Sequence, residues 1–224
     1  MRIGIDAHIL LQQHKRYSRK IAAYTEDMVT ALIKADKKQE HTWVLFFDGR
    51  MADNSKLNMF LKALDRPNIE VKHFPFVTYR RYLPVVYSHM LISAFLRSAK
   101  LDIFHSPEGL IPIGYTGNMI ATFHYVPRGK LESNLFVRTF MLGARVAFAG
   151  MCRRAARIVL ESENDLELMK ERWGYPEKRL VLLPLKDSWS KKAEKLLAVY
   201  KELKPKKRVK KKAKKVKTKV KKGK

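Results

Sequence analysis

Apolar, β-rich runs alternate with helix-length stretches along most of the chain, and that alternation constrains the fold more than any other feature. The strand-like runs cover residues 2–6, 42–47, 69–74, 101–105, 119–123, 157–160 and 180–183. Helical periodicity covers residues 17–35, 54–64, 83–99, 131–155 and 163–173 between them. Parallel strands need long crossover connections, usually helices, so this rhythm predicts an α/β fold. The expected architecture is a Rossmann-like, doubly wound, mostly parallel sheet with helices on both faces. A chain of 224 residues has room for one such domain and little more. No internal repeat is visible.

Sheets of this kind bind ligands beyond the carboxyl ends of their strands. Residues 7–19, 106–113 and 124–130 are therefore the segments to inspect. All three are rich in His, Pro, Gly or basic residues, although loops are polar for plainer reasons as well.

The chain carries 47 Lys+Arg against 21 Asp+Glu, a formal charge of +26. Residues 204–224 hold 14 of the basic residues and no acidic one, which leaves +12 on residues 1–203. That lysine-rich tail cannot bury enough apolar area to fold and is expected to be disordered. It would bind any polyanion at low salt through counterion release. It has no aromatic stacking platform, which argues against dedicated nucleic-acid reading. The single cysteine, Cys152, excludes an internal disulfide framework and fits a reducing compartment. The first residues read as a strand rather than a signal peptide, and no apolar run is long enough to span a membrane. The expectation is a cytoplasmic protein, with peripheral contact at the inner face of the membrane as a second possibility.

Ahead of the tail, residues 188–203 read as a final amphipathic helix. Ser188 suits an N-cap, and Trp189, Ala193, Leu196, Leu197, Tyr200 and Leu203 recur at helical spacing. Burial of several of these side chains would contribute about 1.5–3 kcal/mol each and dock the helix on the domain.

Several segments, in order, resemble the N-terminal domain of glycosyltransferase family 4. Met1-Arg2-Ile3-Gly4-Ile5-Asp6-Ala7 resembles the family's first strand, and Asp102-Ile103-Phe104-His105-Ser106-Pro107 its Asp-Leu-Phe-His-Ser-Pro segment. Thr122-Phe123-His124 is similar to its Thr-Ile-His-Asp motif. Arg153-Arg154-Ala155-Ala156-Arg157-Ile158 with Ser162-Glu163, then Gly174-Tyr175-Pro176-Glu177-Lys178, resembles the stretch leading to the interdomain hinge. Asp187-Ser188-Trp189 through Tyr200 resembles the family's closing Ser-Trp-Glu helix, which returns from the second domain to the first; a generic amphipathic helix explains the same residues.

The resemblance implies a two-domain GT-B architecture and retaining hexosyl transfer from a nucleotide-sugar. It also implies three parts here: an acceptor-side domain over residues 1–184, a returning helix within 185–203, and the tail 204–224. The departures matter equally. The family's Gly-Ile-Gly-Arg-Tyr loop is replaced by Lys20-Ile21-Ala22-Ala23-Tyr24, the Asp after its histidine by Tyr125, and its hinge Asn-Gly by Leu185-Lys186. The donor-binding domain has no counterpart between Pro184 and Ser188. No resident cofactor is therefore expected; a nucleotide-sugar enters only if a second domain or subunit supplies its site.

His124 is the catalytic candidate, positioned by the resemblance beside the transferred sugar, where an imidazole can donate to a hydroxyl; a histidine satisfied by loop backbone is the alternative. His8, His14, Lys15, Arg16, Arg19 and Lys20, together with His105 and Ser106, are candidates for binding an anionic acceptor or phosphate. A solvated basic loop, and residues that merely shape the sheet edge, account for the same pattern. Glu161, Glu163 and Asp165 are explained by a helix N-terminus. No metal-ligand spacing stands out. The basic and aromatic run from Tyr79 to Arg97 fits either a core helix or a surface that meets an anionic membrane and a lipid-linked acceptor. Three functions follow as expectations: half of a glycosyltransferase completed by a donor-binding subunit, a non-catalytic scaffold relative, and a basic polyanion-binding protein.

Overall fold

The computed structural model describes residues 1–11, 16–49, 55–74, 90–127 and 135–203. The expectations for His14, Lys15, residues 79–89 and the tail 204–224 lie outside them.

Seven strands form one sheet: β1 (Arg2–Asp6), β2 (Thr42–Asp48), β3 (Ile69–Phe74), β4 (Ile103–Ser106), β5 (Asn118–Phe123), β6 (Arg157–Leu160) and β7 (Leu180–Leu182). The spatial order is β3-β2-β1-β4-β5-β6-β7, and every pairing is parallel. The sheet is thus wholly rather than mostly parallel, and doubly wound about the β1–β4 neighbour pair.

The β2 run Trp43–Phe47 shows why. It is fully buried, and alternate side chains enter opposite cores. Trp43, Leu45 and Phe47 face the core shared with Ile3, Ile5 and Ile120, while Val44 and Phe46 face the core shared with Phe104 and Met119. A strand apolar on both faces is stable only with helices over each.

The first core is covered by α1 (Arg16–Ala35), by α2 (Ser55–Leu64) and by the last helix among the described residues. The second is covered by α3 (Ile92–Ser98), α4 (Leu135–Arg154) and α5 (Glu163–Glu171). α5 stops two residues before the periodicity predicts, because Gly174 takes φ +64° and Tyr175 N–H donates to the Met169 carbonyl at 3.0 Å. β4 starts two residues later than predicted, after a left-handed turn at Lys100 (φ 50°).

The last helix, α6 (Trp189–Glu202), begins at Ser188, whose hydroxyl accepts from Lys191 N–H at 3.4 Å. It buries Ala193, Leu196, Val199 and Tyr200 in the first core beside α1. Residues 183–188 alone connect β7 to it, through a turn closed by Asp187 N–H on the Pro184 carbonyl (3.0 Å).

Candidate active site

In a doubly wound sheet the chain leaves the two central strands in opposite directions, so a crevice opens between their carboxyl ends. Here those strands are β1 and β4. β1 ends at Asp6, and the short 3-10 turn His8–Leu11 follows. His8 Nδ1 lies 2.6 Å from Asp6 Oδ1, and His8 Nε2 stands 3.3 Å from Glu108 Oε2, an ion-pair distance without hydrogen-bond alignment. Glu108 is presented by the turn after β4, where Gly109 at φ +80° donates to the Ser106 carbonyl at 3.2 Å. Burial disfavours a charged His8 ring, but Asp6 and Glu108 outweigh it and hold the pKa up at about 10. His8 is an imidazolium whose charge both carboxylates already neutralise. It is not a free grip for phosphate.

The β5–β6 register pairs Phe123 with Leu160, which sets the next residues, His124 and Glu161, side by side. His124 Nδ1 meets Glu161 Oε2 at 2.8 Å, and Nε2 meets the Pro107 carbonyl at 2.9 Å. The ring therefore ties together the ends of β4, β5 and β6. Glu161 is more than a helix-terminal charge: it is the partner of the candidate histidine. Glu163 and Asp165 remain in the first turn of α5.

Helices α1 and α6 support this pair from one side. The Tyr24 ring stands edge-on to His124 at 4.7 Å and 84°. Trp189 stands edge-on to Tyr24 at 5.0 Å and 67°, with the Lys192 ammonium 4.7 Å from its ring centre. The Tyr24 hydroxyl is buried and makes no hydrogen bond of ordinary geometry, although Thr122 lies alongside. Ser106 Oγ is buried without a partner too.

His105 sits at the centre of the sheet, fully buried. Its Nδ1 meets the Tyr200 hydroxyl at 2.6 Å and its Nε2 the Thr122 hydroxyl at 2.9 Å. Burial, aided by the nearby His124, pushes its pKa down to about 3. This neutral ring joins the last helix to the central strands and offers no free nitrogen to a ligand. Arg19 and Lys20 lie exposed on α1, which Arg16 begins.

The sequence candidates thus separate. His8 lies between two carboxylates and His124 between a carboxylate and a backbone carbonyl at the strand ends; His105 is a strut. The residues that sequence reasoning passed over are Asp6, Tyr24, Glu108 and Glu161. Strand-end position was their available signal, since Asp6 closes β1 and Glu161 follows β6 directly. Three carboxylates, Asp6, Glu108 and Glu161, stand at or just after the ends of β1, β4 and β6. Among the described residues no group of His, Cys, Asp and Glu is arranged to hold a metal. Asp6 and Glu108 flank the His8 ring at its two nitrogens instead of converging. Exposed apolar side chains, Ile113, Tyr125 and Leu185, project from loops after β4, β5 and β7. Among the described residues no helix is long and apolar enough to cross a membrane.

No family model matches the chain, and no curated protein matches it by sequence. In fold it is similar to a sucrose-phosphate synthase chain from Thermosynechococcus elongatus, with TM-score 0.53 and 14% identity over 91% of this chain and 99% of that one. A glycosyltransferase from Rickettsia africae aligns with TM-score 0.46 and 13% identity, over 82% of this chain and 42% of that one. Arabidopsis thaliana UGT89C1 complexed with UDP aligns with TM-score 0.44 and 12% identity, over 84% and 51%. The chain spans about half or less of the length of the latter two. The sucrose-phosphate synthase likeness shows the fold alone: a Rossmann-like α/β domain built on a parallel sheet.

Proposed function

We propose that this chain is the acceptor-side half of a retaining, family 4-type glycosyltransferase, which transfers a hexose only when a donor-binding domain or subunit covers the carboxyl edge of its sheet. The observation that carries the reading is the direct passage from β7 to α6 through residues 183–188, with α6 fastened to the sheet by Tyr200 and His105. A helix that returns to the first half after a second domain would dock there, and here nothing intervenes. Exposed Ile113, Tyr125 and Leu185 give the same edge an apolar rim for a second half.

In this reading residues 1–184 are the acceptor domain, residues 185–203 hold it closed, and the tail 204–224 adheres to anionic lipid at the inner face of the membrane. The acceptor is a lipid-linked hydroxyl. Glu161 orients His124, and the pair faces the sugar at the mouth of the crevice. The crevice carboxylates leave phosphate recognition to the partner half.

One observation favours a second reading, a non-catalytic scaffold. Both ring nitrogens of His124 are already engaged within the chain. Affinity purification of the tagged chain, followed by transfer of labelled hexose from UDP-glucose to a membrane lipid extract, separates the two. The half-enzyme reading predicts transfer by a complex that contains a nucleotide-sugar-binding partner. A stable complex with no transfer from any nucleotide-sugar supports the scaffold instead.

A further inference from the structure

We propose that the groove between α1 and α6 is a dimer interface, in which α1 of a second copy lies antiparallel across α1 and Asp27 of each chain pairs with Lys34 of the other. The groove lies on the helix layer over the first core, so this goes beyond the sugar-transfer reading and does not depend on it.

The two helices run side by side in the same direction. Tyr24 and Trp189 meet beside His124 at the carboxyl edge, whereas Tyr200 meets Trp43 at the start of β2, where α1 has ended. Between them they leave an open groove of about 550 Å³. Ala31, Trp189 and Leu197 line it, each only partly buried although it packs on the first core. The charged rim is Asp27, Lys34, Lys37 and Glu194. All four are exposed, and none forms an ion pair among the described residues.

The balance of charge selects the occupant. The chain carries 47 Lys+Arg against 21 Asp+Glu, yet this rim has two of each sign. A polyanion gains nothing from a neutral rim, and the basic tail 204–224 would meet Lys34 and Lys37 as like charges. A rim of balanced sign fits a partner that presents the same charges in reverse order. Helix α1 is such a partner for itself. It is acidic at Asp27 and basic at Lys34, two turns later and about 10 Å further along the same face.

Turned about a two-fold axis that passes between Thr30 and Ala31, one α1 sets Asp27 against the partner's Lys34 and Lys34 against the partner's Asp27. A two-fold interface has to be self-complementary in this way. The small side chains of Thr30 and Ala31 at the crossing let the helix axes approach closely. Antiparallel helices also bring opposite ends of their dipoles together.

The face is large enough. Helix α1 has 20 residues, a length of about 30 Å, and α6 adds 14 residues beside it. Two such helices, each about 10 Å wide, offer a surface on the order of the 800 Å² per partner that specific dimers bury. At about 150 mM salt the Debye length is about 8 Å, so the net charges of the two chains are screened while pairs in contact persist. The antiparallel arrangement points the two carboxyl edges in opposite directions and leaves both crevices open.

The test is sedimentation velocity of the full chain, freed of nucleic acid, from about 1 to 100 μM in about 150 mM salt. The expected result is a reversible dimer. Asp27→Lys and Lys34→Asp each bring like charges together at both ends of the crossing, and each is expected to raise the dissociation constant about tenfold or more. Both side chains are exposed, so neither substitution should change the Tm of the monomer. An equimolar mixture of the two variants restores opposite charges at both ends, as does the double variant D27K/K34D. Either is expected to recover the parent affinity within about threefold. A parent chain that stays monomeric at about 100 μM would overturn the proposal and leave the groove to the tail or to another protein. So would a dimer that neither single substitution weakens, or two weakened variants whose mixture does not associate.

Discussion

The fastening of α6 to the sheet is open to a single-atom test, Tyr200→Phe. The substitution keeps the ring, and with it the edge contact to His105 at 5.9 Å and the tilted contact to Trp43 at 6.5 Å. It removes only the hydroxyl 2.6 Å from His105 Nδ1. With its pKa pushed down to about 3, His105 is neutral and has one bare nitrogen and one N–H. A phenol is a stronger donor than an aliphatic hydroxyl, so Tyr200 donates to Nδ1 and Nε2–H donates to Thr122. Loss of the phenol leaves a buried acceptor with nothing to meet, since His105 is completely enclosed. That costs about 1–3 kcal/mol, far more than the net worth of an exposed hydrogen bond. For a chain of this size it lowers Tm by roughly 2–10 °C.

Urea unfolding followed by circular dichroism reads the change as a lower midpoint at unchanged slope. Thr122→Val removes the hydroxyl on the other side of the same ring. The double variant should be less destabilised than the sum, because both changes act through one imidazole. A change below about 0.5 kcal/mol for Tyr200→Phe would mean that α6 is not bonded to β4 through His105, and the argument would fall.

Three other outcomes are expected. The raised pKa of His8, about 10, gives stability that is complete below pH 6.5 and lost as pH rises through 10, whereas the lowered pKa of His105, about 3, gives stability complete above 6.5 and lost as pH falls through 3. Urea stability should therefore peak near neutrality, and a rise between pH 7 and pH 9 would contradict the His8 arrangement. Burial pushes the Cys152 thiol up to about 12, so a disulfide reagent at pH 8 should leave it untouched until denaturant is added; rapid native reaction would show that the thiol is accessible. Gly109→Ala puts a Cβ 2.8 Å from the Phe123 ring at a left-handed φ, and should cost about 1–3 kcal/mol in the same urea assay.

The sheet was legible because its strands announce themselves. Arg2–Asp6, Ile69–Phe74 and Arg157–Leu160 are where the apolar runs predict them, residue for residue. A strand buried on both faces has to be apolar throughout, and few other structures require that. The α6 stripe was equally clear, since Trp189, Ala193, Leu196 and Tyr200 keep helical spacing whichever surface they meet. The site was harder. His124 stands out as a histidine directly after a strand, but its partner Glu161 is set by the β5–β6 register, which no local pattern reveals. His105 illustrates the opposite difficulty: a histidine in a strand followed by Ser-Pro reads as a ligand-facing residue, yet Tyr200, 95 positions away in sequence, closes over it. The basic loop misleads in a similar way, because the carboxylates that neutralise His8 come from Asp6 behind it and Glu108 in a distant turn.

The central claim is that this fold carries the acceptor side of a sugar transferase and leaves donor binding to another domain or subunit. Calorimetric titration of the isolated chain with UDP-glucose and GDP-mannose tests it most directly. The account predicts no saturable heat at concentrations up to about 1 mM, where a formed nucleotide-sugar site would be well occupied. Saturable binding of either donor, with a dissociation constant in the micromolar range, would contradict it.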